Sequence, residues 1–130
     1  MPHLIVEYTH NLAPVVRIDA LLAGLSAVLI AQDGAFPVGG IRARALCLES
    51  YRMADGSSDD AFVHVTLAVA RGRSQDVLDR TVSALFDTLT AHFAEPYRRR
   101  YLALSLELRE FAGAYRSLNN IHQRYNTTAA

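Results

Sequence analysis

Twice along these 130 residues the hydrophobic pattern changes period from two to about 3.6 and back again. Residues His3 to Tyr8 read as a strand, with branched Ile5 and Val6 near its centre. Ile18, Leu21, Leu22, Leu25, Val28 and Leu29 then recur at spacings of three and four. That spacing predicts a helix from about Val15 to Ala31, stopped at Asp33-Gly34. Arg42 to about Tyr51 reads as a second strand. After the polar turn Asp55–Asp60 comes Ala61 to Ala70, the clearest strand in the chain. Gly72-Arg73-Ser74 breaks it, and Ser74 is a natural N-cap. A second helix follows over about Gln75 to Ala94, ended by Pro96. Leu102, Leu104, Leu106 and Leu108 then alternate with Ala103, Ser105, Glu107 and Arg109, a fourth strand. The tail from about Phe111 is less regular, and Asn126 to Ala130 reads as frayed.

Two units of about fifty residues, 2–52 and 61–110, therefore share one order, strand, helix, strand. Each reads as a β-α-β crossover that pairs parallel strands. The expected fold class is α/β, more narrowly an α+β two-layer sandwich. One domain over 1–130 holds a four-stranded sheet with both helices on one face, and 111–130 is a C-terminal tail. The third strand is apolar on both sides: Val63, Val65, Leu67 and Val69 oppose Phe62, Thr66 and Ala68. The helix-free face is therefore expected to be buried against other subunits.

Composition removes several functions. There are thirteen basic and thirteen acidic residues, and a net charge of zero argues against nucleic-acid binding. Arg98-Arg99-Arg100 is then expected to be a solvated or interface cluster. The N-terminus lacks the pattern of a signal peptide, and the sequence has no run of apolar residues long enough for a membrane span. With one cysteine, Cys47, the chain fits a reducing cytoplasm, and Cys47 is expected to be a small buried hydrophobe. His3, His10, His64, His92 and His122 show no metal-ligand spacing and read as packing or surface residues. No phosphate loop, nucleophile elbow or dinucleotide fingerprint occurs, so neither a metal nor a cofactor is expected. Gly39-Gly40 reads as a turn.

Every basic residue is arginine. Without lysine, the only amine available for proton transfer is the chain's own N-terminus. Met1 before a small residue such as Pro2 is commonly removed, which frees a secondary amine. Such an amine titrates near 8, and burial or neighbouring arginine charge lowers it toward neutrality. From the residues alone, Pro2 is either that base or the first residue of an edge strand. Arg73, at the start of a helix, either holds a carboxylate or packs against one of the chain's own. Arg42 and Arg71 stand at strand ends beside it in this reading.

The segments Pro2–Tyr8, Phe36–Arg44, Met53–Gly56, Asp60–Leu67 and Gly72–Ser74 resemble, in order and spacing, the 5-carboxymethyl-2-hydroxymuconate isomerases of the tautomerase superfamily. The resemblance runs to about Asn119–His122. It implies a tautomerase-like fold, a homotrimer, and an isomerase of homoprotocatechuate (4-hydroxyphenylacetate) breakdown. The substrate implied is a polycarboxylate enol, the tricarboxylate dienol 5-carboxymethyl-2-hydroxymuconate, and the product its conjugated keto isomer. Pro2 would carry the proton, and Arg42 and Arg73 would hold carboxylates. Arg71 and Arg44 are further candidates, and Phe36 is placed to line the pocket. Two other readings stand beside it: a tautomerase of another 2-hydroxydienoate or an arylpyruvate enol, and a non-enzymatic anion-binding trimer.

Overall fold

The computed structural model describes residues 1–125; the tail expected to fray, 126–130, lies outside the described residues. The elements are β1 (His3–Thr9), α1 (Ile18–Ile30), β2 (Arg42–Leu48), β3 (Ala61–Val69), α2 (Gln75–His92), α3 (Ala94–Arg99) and β4 (Leu102–Glu110). Short 3-10 turns sit at His10–Leu12, Val38–Gly40 and Ile121–Tyr125. Strand order is β2-β1-β3-β4. β1 pairs parallel with β2 and β3 parallel with β4, the two crossovers the repeat implies. The units meet along β1 and β3, which are antiparallel, so the sheet is mixed.

The strands alternate as their sequences do. Leu4 and Val6 of β1 and Val63, Val65 and Leu67 of β3 are wholly buried. They pack with Leu21, Leu25 and Leu29 of α1 and Leu85 and Leu89 of α2 in one core. The two helices also touch each other, which puts both on the same face. Among the described residues no helix is long and apolar enough to cross a membrane.

The structure corrects several boundaries. α1 begins at Ile18 rather than near Val15, because Arg17 takes a left-handed backbone with φ of 46°. His92 Nε2 lies 2.6 Å from the Val16 carbonyl, which gives that carbonyl a partner outside the helix. β2 ends at Leu48 rather than Tyr51, since its only neighbour, β1, ends at the paired residue Thr9. Pro96 does not end α2: that helix stops at His92, and Pro96 sits in the first turn of α3. A first-turn N–H has no partner within its helix, so proline fits there. Cys47 is exposed, not buried, because it lies one residue from the end of an edge strand with only β1 beside it.

The face away from the helices is more polar than β3 alone implied. His64 stands between Ser105 Oγ (2.7 Å) and Glu107 Oε1 (3.1 Å) on β4. Arg109 donates to the same carboxylate at 2.8 Å. Thr66, on that face, is nevertheless only 8% exposed. Of the arginine run, Arg98 and Arg99 pair with Glu95 at the surface, while Arg100 donates to the Asn11 carbonyl and to Asp59.

Candidate active site

Topology brings the candidate residues to one end of the sheet. In the register, His3 lies beside Arg42 on one side and Ala68 on the other. The start of β1, the start of β2 and the end of β3 therefore coincide, although they come from three distant parts of the chain. Pro2 is buried immediately before β1, and its carbonyl accepts the Arg42 backbone N–H at 3.0 Å.

Arg73 reaches the same end from the turn between β3 and α2. Gly72 has φ of 122°, a conformation that side chains strain against, and this swings the chain out of the strand. Ser74 Oγ then accepts the Val77 N–H and caps α2. The Arg73 side chain folds back over the fully buried Phe36, its guanidinium carbon 4.4 Å from the ring centroid. Nε donates to the Ala35 carbonyl (2.9 Å) and Nη1 to the Ala70 carbonyl (3.1 Å). Its orientation is thus fixed, and among the described residues Nη2 makes no such bond. Among the described residues no carboxylate takes Arg73 in a hydrogen bond, which disfavours the purely structural reading set beside it above.

Arg42 Nη1 donates to the Gly40 carbonyl at 3.0 Å and to Met1 Sδ at 2.7 Å. The Met1 amine is held below its ordinary value of 8.0. Burial is the largest cause, followed by the charges of Arg73 and Arg42. Burial also lowers Arg73, and Glu110 opposes that shift. Arg44, two residues along β2, is exposed and donates to His3 Nδ1 at 3.1 Å. Since arginine has only donors, His3 carries its proton on Nε2, which points at Tyr115 Oη 3.4 Å away. Burial, Arg44, Arg42 and the terminal amine all lower the His3 pKa. Arg71 is exposed and points to none of these groups in hydrogen bonding. Pro2, Arg42, Arg73 and Phe36 come together; Arg44 stands at their margin and Arg71 apart.

The tail was the feature sequence reasoning missed. Phe111 continues from β4 by donating its N–H to the Val69 carbonyl, and its ring stacks on Tyr115 at 4.4 Å. The chain then returns to the Val38–Gly40 turn, where Asn119 Nδ2 donates to the Gly39 carbonyl at 2.8 Å. A Cβ on Gly39 would meet the backbone of His122 at 2.9 Å. Gly39-Gly40 is more than a turn: its missing side chains let the tail lie against the residues around Met1. The paired glycines were the available signal.

A groove of about 620 Å³ is lined by Ser58–Asp60 and Tyr97–Leu102 and contains none of these residues. A free chain-terminal amine beside two arginines can move a proton on an anionic enol.

A family model for 5-carboxymethyl-2-hydroxymuconate isomerase matches residues 2–125. The chain belongs to that isomerase family. It is 37% identical over 123 residues to the 5-carboxymethyl-2-hydroxymuconate Delta-isomerase of Escherichia coli, covering 94% of this chain and 97% of that one. The crystal structure of a 5-carboxymethyl-2-hydroxymuconate isomerase from Deinococcus radiodurans R1 is 51% identical, with a TM-score of 0.91. It covers 96% of this chain and 94% of that one. A fused 4-OT wild-type symmetric trimer, 17% identical, shares the fold at a TM-score of 0.61, over 89% of this chain and 92% of that one. The family match extends through Asn119 and His122, so the docked tail lies within the length this isomerase shares with its family.

Proposed function

We propose that this isomerase converts 5-carboxymethyl-2-hydroxymuconate to its conjugated keto isomer, with the Pro2 nitrogen carrying the proton once Met1 is removed. The observation that carries this reading is geometric: Pro2, buried immediately before β1, lies at the same end of the sheet as Arg42 and as Arg73, which is held over Phe36. The neutral amine takes the proton of the 2-hydroxyl, which leaves a dienolate and a prolinium. The prolinium returns the proton to carbon at the far end of the conjugated system. One proton leaves and one returns, and no electrons are exchanged with an external group. The chemistry therefore requires no cofactor.

The arginines serve the negative charge. Arg42 and Arg73 hold substrate carboxylates and stabilise the dienolate as it forms, and a planar guanidinium also fixes orientation. Phe36 keeps Arg73 aimed, while Arg44 and Arg71 supply longer-range positive charge. The substrate is a small polycarboxylate enol, met in homoprotocatechuate (4-hydroxyphenylacetate) degradation in the cytoplasm. The helix-free sheet face, where the apolar third strand lies, supports a homotrimer in which neighbouring copies cover it. No membrane or nucleic acid takes part in this scheme.

A tautomerase of a different enol would share Pro2, so substrate comparison decides between them. Ketonisation is followed spectrophotometrically for the tricarboxylate dienol and for a monocarboxylate 2-hydroxydienoate. The expected result is a higher kcat/KM for the tricarboxylate, because more than one arginine is present to bind it. A preference for the monocarboxylate overturns the assignment and favours the other enol.

A further inference from the structure

In the chain that retains Met1, two N–H donors from opposite ends of the sequence converge on its thioether. Arg42 Nη1 lies 2.7 Å from Sδ, and Asn119 Nδ2 lies 3.4 Å from it. Sulfur is a weak acceptor, and donors of this kind are better matched to a carboxylate oxygen. Met1 is also the residue whose peptide bond makes the Pro2 nitrogen an amide. We propose that Asn119 is a substrate-binding residue, and that its side-chain amide joins Arg42 in a carboxylate subsite at the place Met1 Sδ occupies in the unprocessed chain. Processing of Met1 then has two effects. It converts the Pro2 nitrogen from an amide to an amine, and it frees this pair of donors for substrate.

The tail is built to hold Asn119 there. Its Oδ1 accepts the Ile121 N–H at 2.9 Å, which fixes the amide's orientation and points Nδ2 back at Gly39 and Met1. Ile121–Tyr125 forms a 3-10 turn packed against Val38–Gly40. His122 presses on Gly39 so closely that no side chain fits. Asn119 is only partly exposed, although it belongs to a surface tail. An asparagine that only anchored the tail would not need its second amide hydrogen aimed at the group attached to Pro2.

The inference rests on the proposed proton transfer at Pro2, and the test separates the two. The protein used has lost Met1, as checked by intact mass. Steady-state kinetics with the tricarboxylate dienol are compared for wild type, Asn119→Ala, Asn119→Asp and Gly39→Ala. Asn119→Ala should raise KM about tenfold or more, the loss of one hydrogen bond to a charged group, with a smaller effect on kcat. Asn119→Asp loses the same bond to Gly39 but also sets a carboxylate against a carboxylate. Its KM should exceed that of Asn119→Ala, and the gap between the two should shrink at high salt. Gly39→Ala displaces the tail without altering any donor and should reproduce the Asn119→Ala defect. Equal KM values for the Ala and Asp variants, or values within twofold of wild type, overturn the subsite. Wild-type protein inactive toward the dienol would instead overturn the proton-transfer reading, whatever the Asn119 variants did.

Discussion

An α-amine titrates near 8 in a short peptide, and in the chain that retains Met1 burial and the charges of Arg73 and Arg42 lower the Met1 amine below that value. The sign matters for activity. A lowered pKa leaves the amine neutral, and so able to accept a proton, at a lower pH. If the Pro2 amine freed by loss of Met1 lies beside the same two arginines, their charges should move the acid limb of kcat/KM to lower pH. Arg73→Ala should move that limb to higher pH, and Arg42→Ala should move it less, following the order of their effects on the amine. A pH–rate profile whose acid limb stays fixed in both variants contradicts the electrostatic account. At this scale the sequence was informative where chemistry restricted the choices. With no lysine, the search came down to one amine and thirteen arginines, and the family resemblance picked Arg42 and Arg73. It could not show Asn119, because a tail without periodicity gives no register from which to infer contact. Cys47 was misread because a residue's place in the strand order, not its own pattern, decides whether a strand end is covered.

Elements of this fold are defined by periodicity and stopped by local chemistry. Ser74 as the cap of α2 and the break at Gly72 were legible because each depends on its own residue type. The true start of α1 was not, because it depends on His92, seventy-six residues away, reaching the Val16 carbonyl. α1 owes its place to packing: its buried stripe, Leu21, Leu25 and Leu29, lies in the same core as Leu4 and Val6 of β1. Leu25→Ala should therefore destabilise the fold by about 3 kcal/mol, the usual cost of emptying a fully buried leucine site. Urea unfolding at fixed protein concentration measures this, and a loss below about 1 kcal/mol would mean the site collapses around the gap. The tail is the contrasting element. It is held by hydrogen bonds and by the bare backbone of Gly39, not by a hydrophobic stripe, and no sequence period announces it.

At the scale of the molecule, two crossovers meet along the antiparallel pair of β1 and β3, and this symmetry puts the chain's start, Arg42 and Arg73 at one end of one sheet. The repeat in the sequence predicted the layers, and the pairing of its two halves fixed the site. One chain leaves Thr66 on a helix-free face. Sedimentation at micromolar concentration should give three times the 14.3 kDa chain mass, and a stable monomer contradicts the trimer. The central claim is that a secondary amine at Pro2 transfers the proton. The most direct measurement is ketonisation of the tricarboxylate dienol by protein shown by intact mass to lack Met1, as wild type and as Pro2→Ala. The account predicts that Pro2→Ala keeps its fold by circular dichroism and loses about 100-fold or more of kcat. Full activity in Pro2→Ala, or in protein that retains Met1, would contradict it.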